Sequence, residues 1–157
     1  MASYLEWLQH LSFPAWIAES ESIWGFPFVL FLHSLGMGFS AGAAFVIGLR
    51  LLGVGRPLPI SSLRVLFTIF WGGFALNLIT GSILFAAHAT TTGYVPIYYA
   101  KLVLIAVGVI VSVPIRKFVD GEGSDGAIPA RIRALAAVSL AVWVSVITTG
   151  RLIAYLS

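Results

Sequence analysis

Apolar residues in this chain fall in long unbroken runs, with neither the alternation of a strand nor the narrow stripe of a surface helix. Four runs stand out: about Ile23–Leu52, Leu63–Ala89, Ile97–Ile115 and Ile132–Leu156. Crossing a bilayer core takes about 20 apolar residues in a helix, because backbone groups left unpaired in hydrocarbon are too costly. Each run is of that order, and none contains Asp or Glu. The connections carry turn residues: Gly53–Pro59, Thr90–Pro96 and the polar stretch Asp120–Gly126. Connections this short set neighbouring helices antiparallel. The predicted fold is all-α, an integral membrane up-down four-helix bundle over residues 23–157.

Residues 1–22 follow another pattern. Leu5, Leu8 and Leu11 recur at helical spacing, Trp7 and Trp16 lie nearby, and Pro14 interrupts. The segment is too short to span and lacks the basic start of a cleaved signal peptide. It reads as an interfacial amphipathic helix anchored by tryptophans, or as a helix packed on the end of the bundle.

Composition agrees with this reading. Of 157 residues, 59% are hydrophobic and 10% charged, with a mean hydropathy of +1.00. A soluble domain carries about 25% charged residues, so a water-soluble globule is excluded. The chain has no cysteine, which removes disulfides, thiolate metal sites, iron–sulfur clusters and covalently attached c-type haem. The net charge of +3 suggests a nucleic-acid partner until the charges are located. Arg50, Arg56 and Arg64 flank the first connection, and Arg116, Lys117, Arg131 and Arg133 flank the third. The positive-inside rule assigns that side to the cytoplasm. Glu6, Glu19 and Glu21 accompany the N-terminal segment on the other side. The expected location is the bacterial inner membrane, with both termini outside the cytoplasm and lipid, not nucleic acid, as the surrounding partner.

Two cations break that pattern. Lys101 and Arg151 both fall inside predicted spans, in the outer half. A buried cation is expensive there, and an intramembrane ionisable residue points to function. The competing reading is snorkelling to the headgroups. His33 lies within the first span and His88 near the outer end of the second, whereas His10 belongs to the N-terminal segment. His33 shares a helix face with Gly36, Ser40 and Ala44; His88 shares one with Asn77, Gly81 and Leu84; Lys101 shares one with Tyr98, Gly108 and Ser112. Small residues at this period mark close helix approach, so these faces are expected to turn inward. Mirroring the chain about its first connection sets His33 level with about Ser82 and His88 level with about Phe26. The two imidazoles are then offset by roughly 9 Å along the axis.

A cationic pocket without a carboxylate suits an anionic group. It does not suit a hard divalent cation, and zinc catalysis wants three protein ligands. A b-type haem needs one or two imidazoles and an apolar cleft, which bundle cores commonly supply. The candidate cofactor-binding residues are therefore His33, His88, Lys101, Arg151, Tyr98 and Asn77. His33 is the first-choice metal ligand and His88 the second, with Lys101 and Arg151 facing the propionates. A quinone-like or other anionic ligand fits the same residues. The bland alternative is that both histidines merely hydrogen-bond a neighbouring helix. No catalytic set emerges, since there is no phosphate-binding loop, no HExxH motif and no intramembrane acid.

Several segments resemble a family of small uncharacterised bacterial inner-membrane proteins. They are His33-Ser34-Leu35-Gly36, Gly42, Leu49-Arg50-Leu51-Leu52-Gly53, Gly81-Ser82-Ile83-Leu84-Phe85, Tyr99-Ala100-Lys101 and Gly150-Arg151-Leu152-Ile153-Ala154-Tyr155. The resemblance covers most of the chain, and it carries over to His33, Lys101 and Arg151. More distantly, the architecture is similar to copper-resistance D-type proteins and small b-type membrane cytochromes, at the level of fold. The leading expectation is an electron-transfer component binding haem b, or a quinone or anion, alone or within a larger respiratory or oxidase complex. Its rival is a non-enzymatic accessory or scaffolding subunit, including a homo-oligomer. A weaker third is a permeation unit lined by His33, Ser40 and Asn77.

Overall fold

The computed structural model describes residues 2–121 and 127–156. These form seven α-helices, with no strand among the described residues. In chain order they are α1 (Ala2–Gln9), α2 (Ser12–Glu19), α3 (Phe26–Leu52), α4 (Leu63–Ala87), α5 (Ala89–Thr92), α6 (Pro96–Gly121) and α7 (Ala130–Leu156), with a single 3₁₀ turn at Ile60–Ser62 before α4. Four of them, α3, α4, α6 and α7, are long and apolar enough to cross a membrane. Most of the expected polar loop Asp120–Gly126, residues 122–126, lies outside the described residues.

Helix ends show why the elements begin and stop where they do. Gly53 closes α3 at φ 103°, with its N–H donating to Arg50 O at 3.1 Å, while the Val54 N–H donates to Leu49 O at 2.9 Å. This paired C-terminal motif satisfies orphan carbonyls and favours glycine at the left-handed position. Sequence reading stopped the third span at Ile115, but α6 continues through Pro114 to Gly121. Its extra turns are held from outside. Arg64 of α4 donates to the carbonyls of Val119 (3.4 Å) and Asp120 (3.0 Å), and Arg116 pairs with Asp120 at 2.7 Å. The side chains thus satisfy carbonyls that a helix C-terminus leaves unpaired.

Among the long helices, α3 packs along α4, α6 along α7, and α3 also against α7, while α4 and α6 touch at few points. Glycines set the tightest approach. A Cβ on Gly36 would lie 2.9 Å from Gly73 O, and one on Gly73 would lie 2.7 Å from Ser40 N, so α3 and α4 meet backbone to backbone. Gly48 faces Leu140 of α7, and Gly108 of α6 faces Trp143. The buried core lies toward the arginine-rich end. It centres on Leu51, Leu63, Phe67, Phe70, Ile115 and Trp143, with the Phe70 and Trp143 rings edge to face at 5.4 Å.

The N-terminal helices sit at the opposite end. Ile17 of α2 packs with Val29 and Ala87. Gln9 Oε1 accepts from Thr90 N–H (3.1 Å) and Thr90 Oγ1 (2.6 Å). Their outward face carries the aromatic pairs Tyr4–Trp7 and Phe13–Trp16, stacked at 5.8 and 6.5 Å. The segment is thus packed on the helix ends and displays aromatics outward at once.

Candidate functional site

The close approach at Gly36 and Gly73 brings the preceding turn of α3 onto α4, and His33 is carried with it. Its Cε1 would lie 3.1 Å from a Cβ at Gly81, so the imidazole edge occupies space that only glycine leaves open. Its Nδ1 lies 3.0 Å from Thr80 Oγ1. The Thr80 hydroxyl donates its one proton back to Leu76 O at 2.7 Å. It therefore accepts from His33, and Nδ1 carries the hydrogen. A neutral imidazole fixed in this way has its lone pair on Nε2, on the side of the ring away from Thr80. That is the arrangement by which a hydrogen-bond partner prepares histidine as a ligand or acceptor.

Lys101, in the second turn of α6, reaches α7. Its Nζ lies 3.5 Å and its Cε 3.6 Å from where a Cβ on Gly150 would stand. It is half-buried. One turn beyond Gly81 and Lys101, toward the end bearing α1 and α2, the rings of Phe85 and Tyr98 stack at 4.9 Å with planes 10° apart. His33, Thr80–Gly81, Lys101 and Gly150 therefore form one layer, with a contribution from each long helix, beneath an aromatic pair joining α4 to α6. Gly81 supplies the room for the imidazole edge.

The remaining candidate residues are placed differently. Arg151 follows Gly150 and is exposed on the outside of the same layer. His88 ends α4 with non-helical backbone (φ −130°, ψ 37°), and its ring lies edge to face against Phe26 at 5.1 Å. Phe26 precedes His33 by two turns, or about 10 Å along the helix. The structure thus does not bring the two imidazoles together. Asn77 lies one turn from Gly81 toward the arginine-rich end, with its Oδ1 buried and unpartnered among the described residues. No group of three or more His, Cys, Asp or Glu among those residues could hold a metal ion. Sequence reasoning missed Thr80, the residue that fixes the imidazole. The available signal was a hydroxyl close to the mirrored level of His33.

Chemically, the layer offers one imidazole nitrogen as a ligand or acceptor and one interior lysine amine, with no carboxylate anywhere in α3, α4 or α7. The only acid in α6 is Asp120, at its far end beside Arg116.

Comparison with curated proteins and with solved structures returns no match. A family model does match, over residues 4–156, which is nearly the whole chain. The chain belongs to that family, a family of unknown function designated DUF6644.

Proposed function

We propose that this chain is a multi-pass protein of the bacterial inner membrane, an up-down four-helix bundle that binds a b-type haem and serves electron transfer. The arginine-rich end faces the cytoplasm, and the His33 layer lies in the outer half. The observation that carries the reading is the hydrogen bond from His33 Nδ1 to Thr80, which leaves Nε2 as a lone-pair donor in a helix-lined layer. Lys101 in the same layer is suited to one propionate and Arg151, exposed just outside it, to the other, through charge-assisted hydrogen bonds. His88 is set apart beside Phe26, so ligation from this chain falls to His33 alone. A haem held there supplies one-electron transfer. The protein's own contributions are to orient the imidazole, balance anionic charge and cover the layer with Phe85 and Tyr98. The exposed aromatic row on α1 and α2 fits the headgroup region.

The test is the haem content of protein purified in mild detergent, measured by pyridine extraction. Wild type and His88→Ala should each yield about one haem per chain and His33→Ala almost none. Wild type without haem would sink the proposal.

A second reading has its own observation. The His33–Thr80–Leu76 chain of hydrogen bonds is already complete within the fold, as a purely structural histidine would have it. On that reading the protein is an accessory subunit. It predicts haem-free protein that copurifies with a constant redox partner, in which His33→Asn costs stability only.

A further inference from the structure

α4 and α6 touch at few points, unlike the other neighbouring long helices. Large side chains bridge them at two levels. Toward the N-terminal helices Phe85 stacks on Tyr98 at 4.9 Å, and toward the arginine-rich end the Arg116 guanidinium lies 5.5 Å from the centre of the Phe67 ring. The two bridges stand about five turns apart on each helix, or roughly 27 Å. Between them, Leu78 of α4 and Leu102 of α6 share the helix faces that carry the bridging residues, and they are 60% and 44% exposed. Phe74 and Ile105, on the same faces, are half-buried against the core. The seam is therefore an apolar furrow on the outside of the bundle, with Phe74 and Ile105 as its floor.

A cationic cluster closes the arginine-rich end of this furrow. Arg116 Nε donates to Asp120 Oδ2 at 2.7 Å, and Arg64 Nε lies 3.9 Å from Asp120 Oδ1. Two guanidinium groups against one carboxylate leave a net positive charge, and Lys117, exposed beside Arg116, adds another. A guanidinium carries five N–H donors. Arg116 spends one of them on Asp120, and its terminal nitrogens have no hydrogen-bond partner among the described residues. A planar fork of free donors matches a phosphate, and basic sites between transmembrane helices hold anionic headgroups. We propose that the α4–α6 seam binds an anionic phospholipid, with its phosphate on Arg116 and Arg64 and one acyl chain laid along the furrow toward Leu78. Leu78 lies about three turns, or roughly 16 Å, from the level of Phe67, which is about half the hydrocarbon core and so the depth one leaflet's chain reaches. Charge selects the headgroup, and the furrow selects a lipid over a free anion. The site needs nothing bound at His33.

Native mass spectrometry of the protein released from mild detergent tests this, with phosphatidylglycerol and phosphatidylcholine of identical chains supplied in equal amounts. Wild type should retain phosphatidylglycerol in preference. Arg116→Gln should lower that preference about tenfold or more, the worth of one charge-assisted hydrogen bond. Arg133→Gln removes an equal charge from α7, away from the seam, and should leave the preference unchanged. Leu78→Trp narrows the furrow without touching the charges and should also lower phosphatidylglycerol retention. Should Arg116→Gln not fold, Leu78→Trp decides by itself. Excess inorganic phosphate should not displace the lipid. Equal retention of the two lipids by wild type would overturn the proposal. An equal loss in Arg133→Gln would do so too, since it would mean general attraction to the basic end. So would retention that Leu78→Trp leaves unmoved, or displacement by inorganic phosphate, the mark of a site for a free anion.

Discussion

At the scale of the residue, Thr80 decides what His33 can do. A threonine hydroxyl that donates to its own helix has only acceptor capacity left, and His33 fills it. Thr80→Val keeps the shape and removes the acceptor. It should cost about 1 kcal/mol of stability, the usual net worth of one hydrogen bond. On the proposed haem-binding reading it should also shift the midpoint potential, because the imidazole's second partner tunes its basicity. A thermal melt and a redox titration check the two effects separately. The sequence exposed His33, Lys101 and Arg151 as anomalies because charge and imidazole are rare in apolar runs. Thr80 stood out less, since a threonine hydrogen-bonded to its own helix is ordinary in a membrane span and only its level, close to the mirrored position of His33, set it apart. The sequence could not separate Lys101, which turns inward to Gly150, from Arg151, which lies exposed. That difference depends on about 100° of helix rotation, which small registry shifts reverse.

At the scale of the element, glycines with and without neighbours make a sharp contrast within one helix. Gly72 and Gly73 are adjacent in α4. A Cβ on Gly72 meets nothing within 4 Å, whereas one on Gly73 would lie 2.7 Å from backbone of α3. Gly72→Ala should be neutral or stabilise by up to about 1 kcal/mol through helix propensity. Gly73→Ala should destabilise by about 1–3 kcal/mol or more, since backbone cannot yield as a side chain can. Melting curves of the two variants side by side test the packing of α3 on α4, and equal behaviour would contradict it. The small-residue face at Gly36, Ser40 and Ala44, which Gly48 continues, was legible as a packing face. Its division between two partners was not: Gly36 serves α4 and Gly48 serves α7. The long helices themselves were readable because hydropathy and length leave few alternatives. The end of α6 was misplaced because Arg64, far away in sequence, supplies its last hydrogen bonds.

At the scale of the whole molecule, the charge asymmetry and the aromatic row make one prediction about orientation. The absence of cysteine allows single reporters to be introduced without background. In intact cells with a permeabilised outer membrane, Ser3→Cys should react with a membrane-impermeant maleimide and Ser61→Cys should not. The opposite pattern would invert the topology and place the His33 layer on the cytoplasmic side. The mirrored registers read from sequence were close to what the fold displays: His88 meets Phe26, and His33 meets Thr80 and Gly81 near its expected level at Ser82. That agreement arises because a short connection between straight antiparallel helices fixes depth by counting alone.

We propose that His33 Nε2 ligates a haem in the outer half of the membrane. The most direct measurement is the absorption spectrum of purified wild type and His33→Gly, before and after addition of imidazole. We expect a Soret band in wild type, its loss in His33→Gly, and its return when free imidazole fills the space of the missing ring. A wild-type spectrum without a Soret band, or one that His33→Gly leaves unchanged, would contradict it.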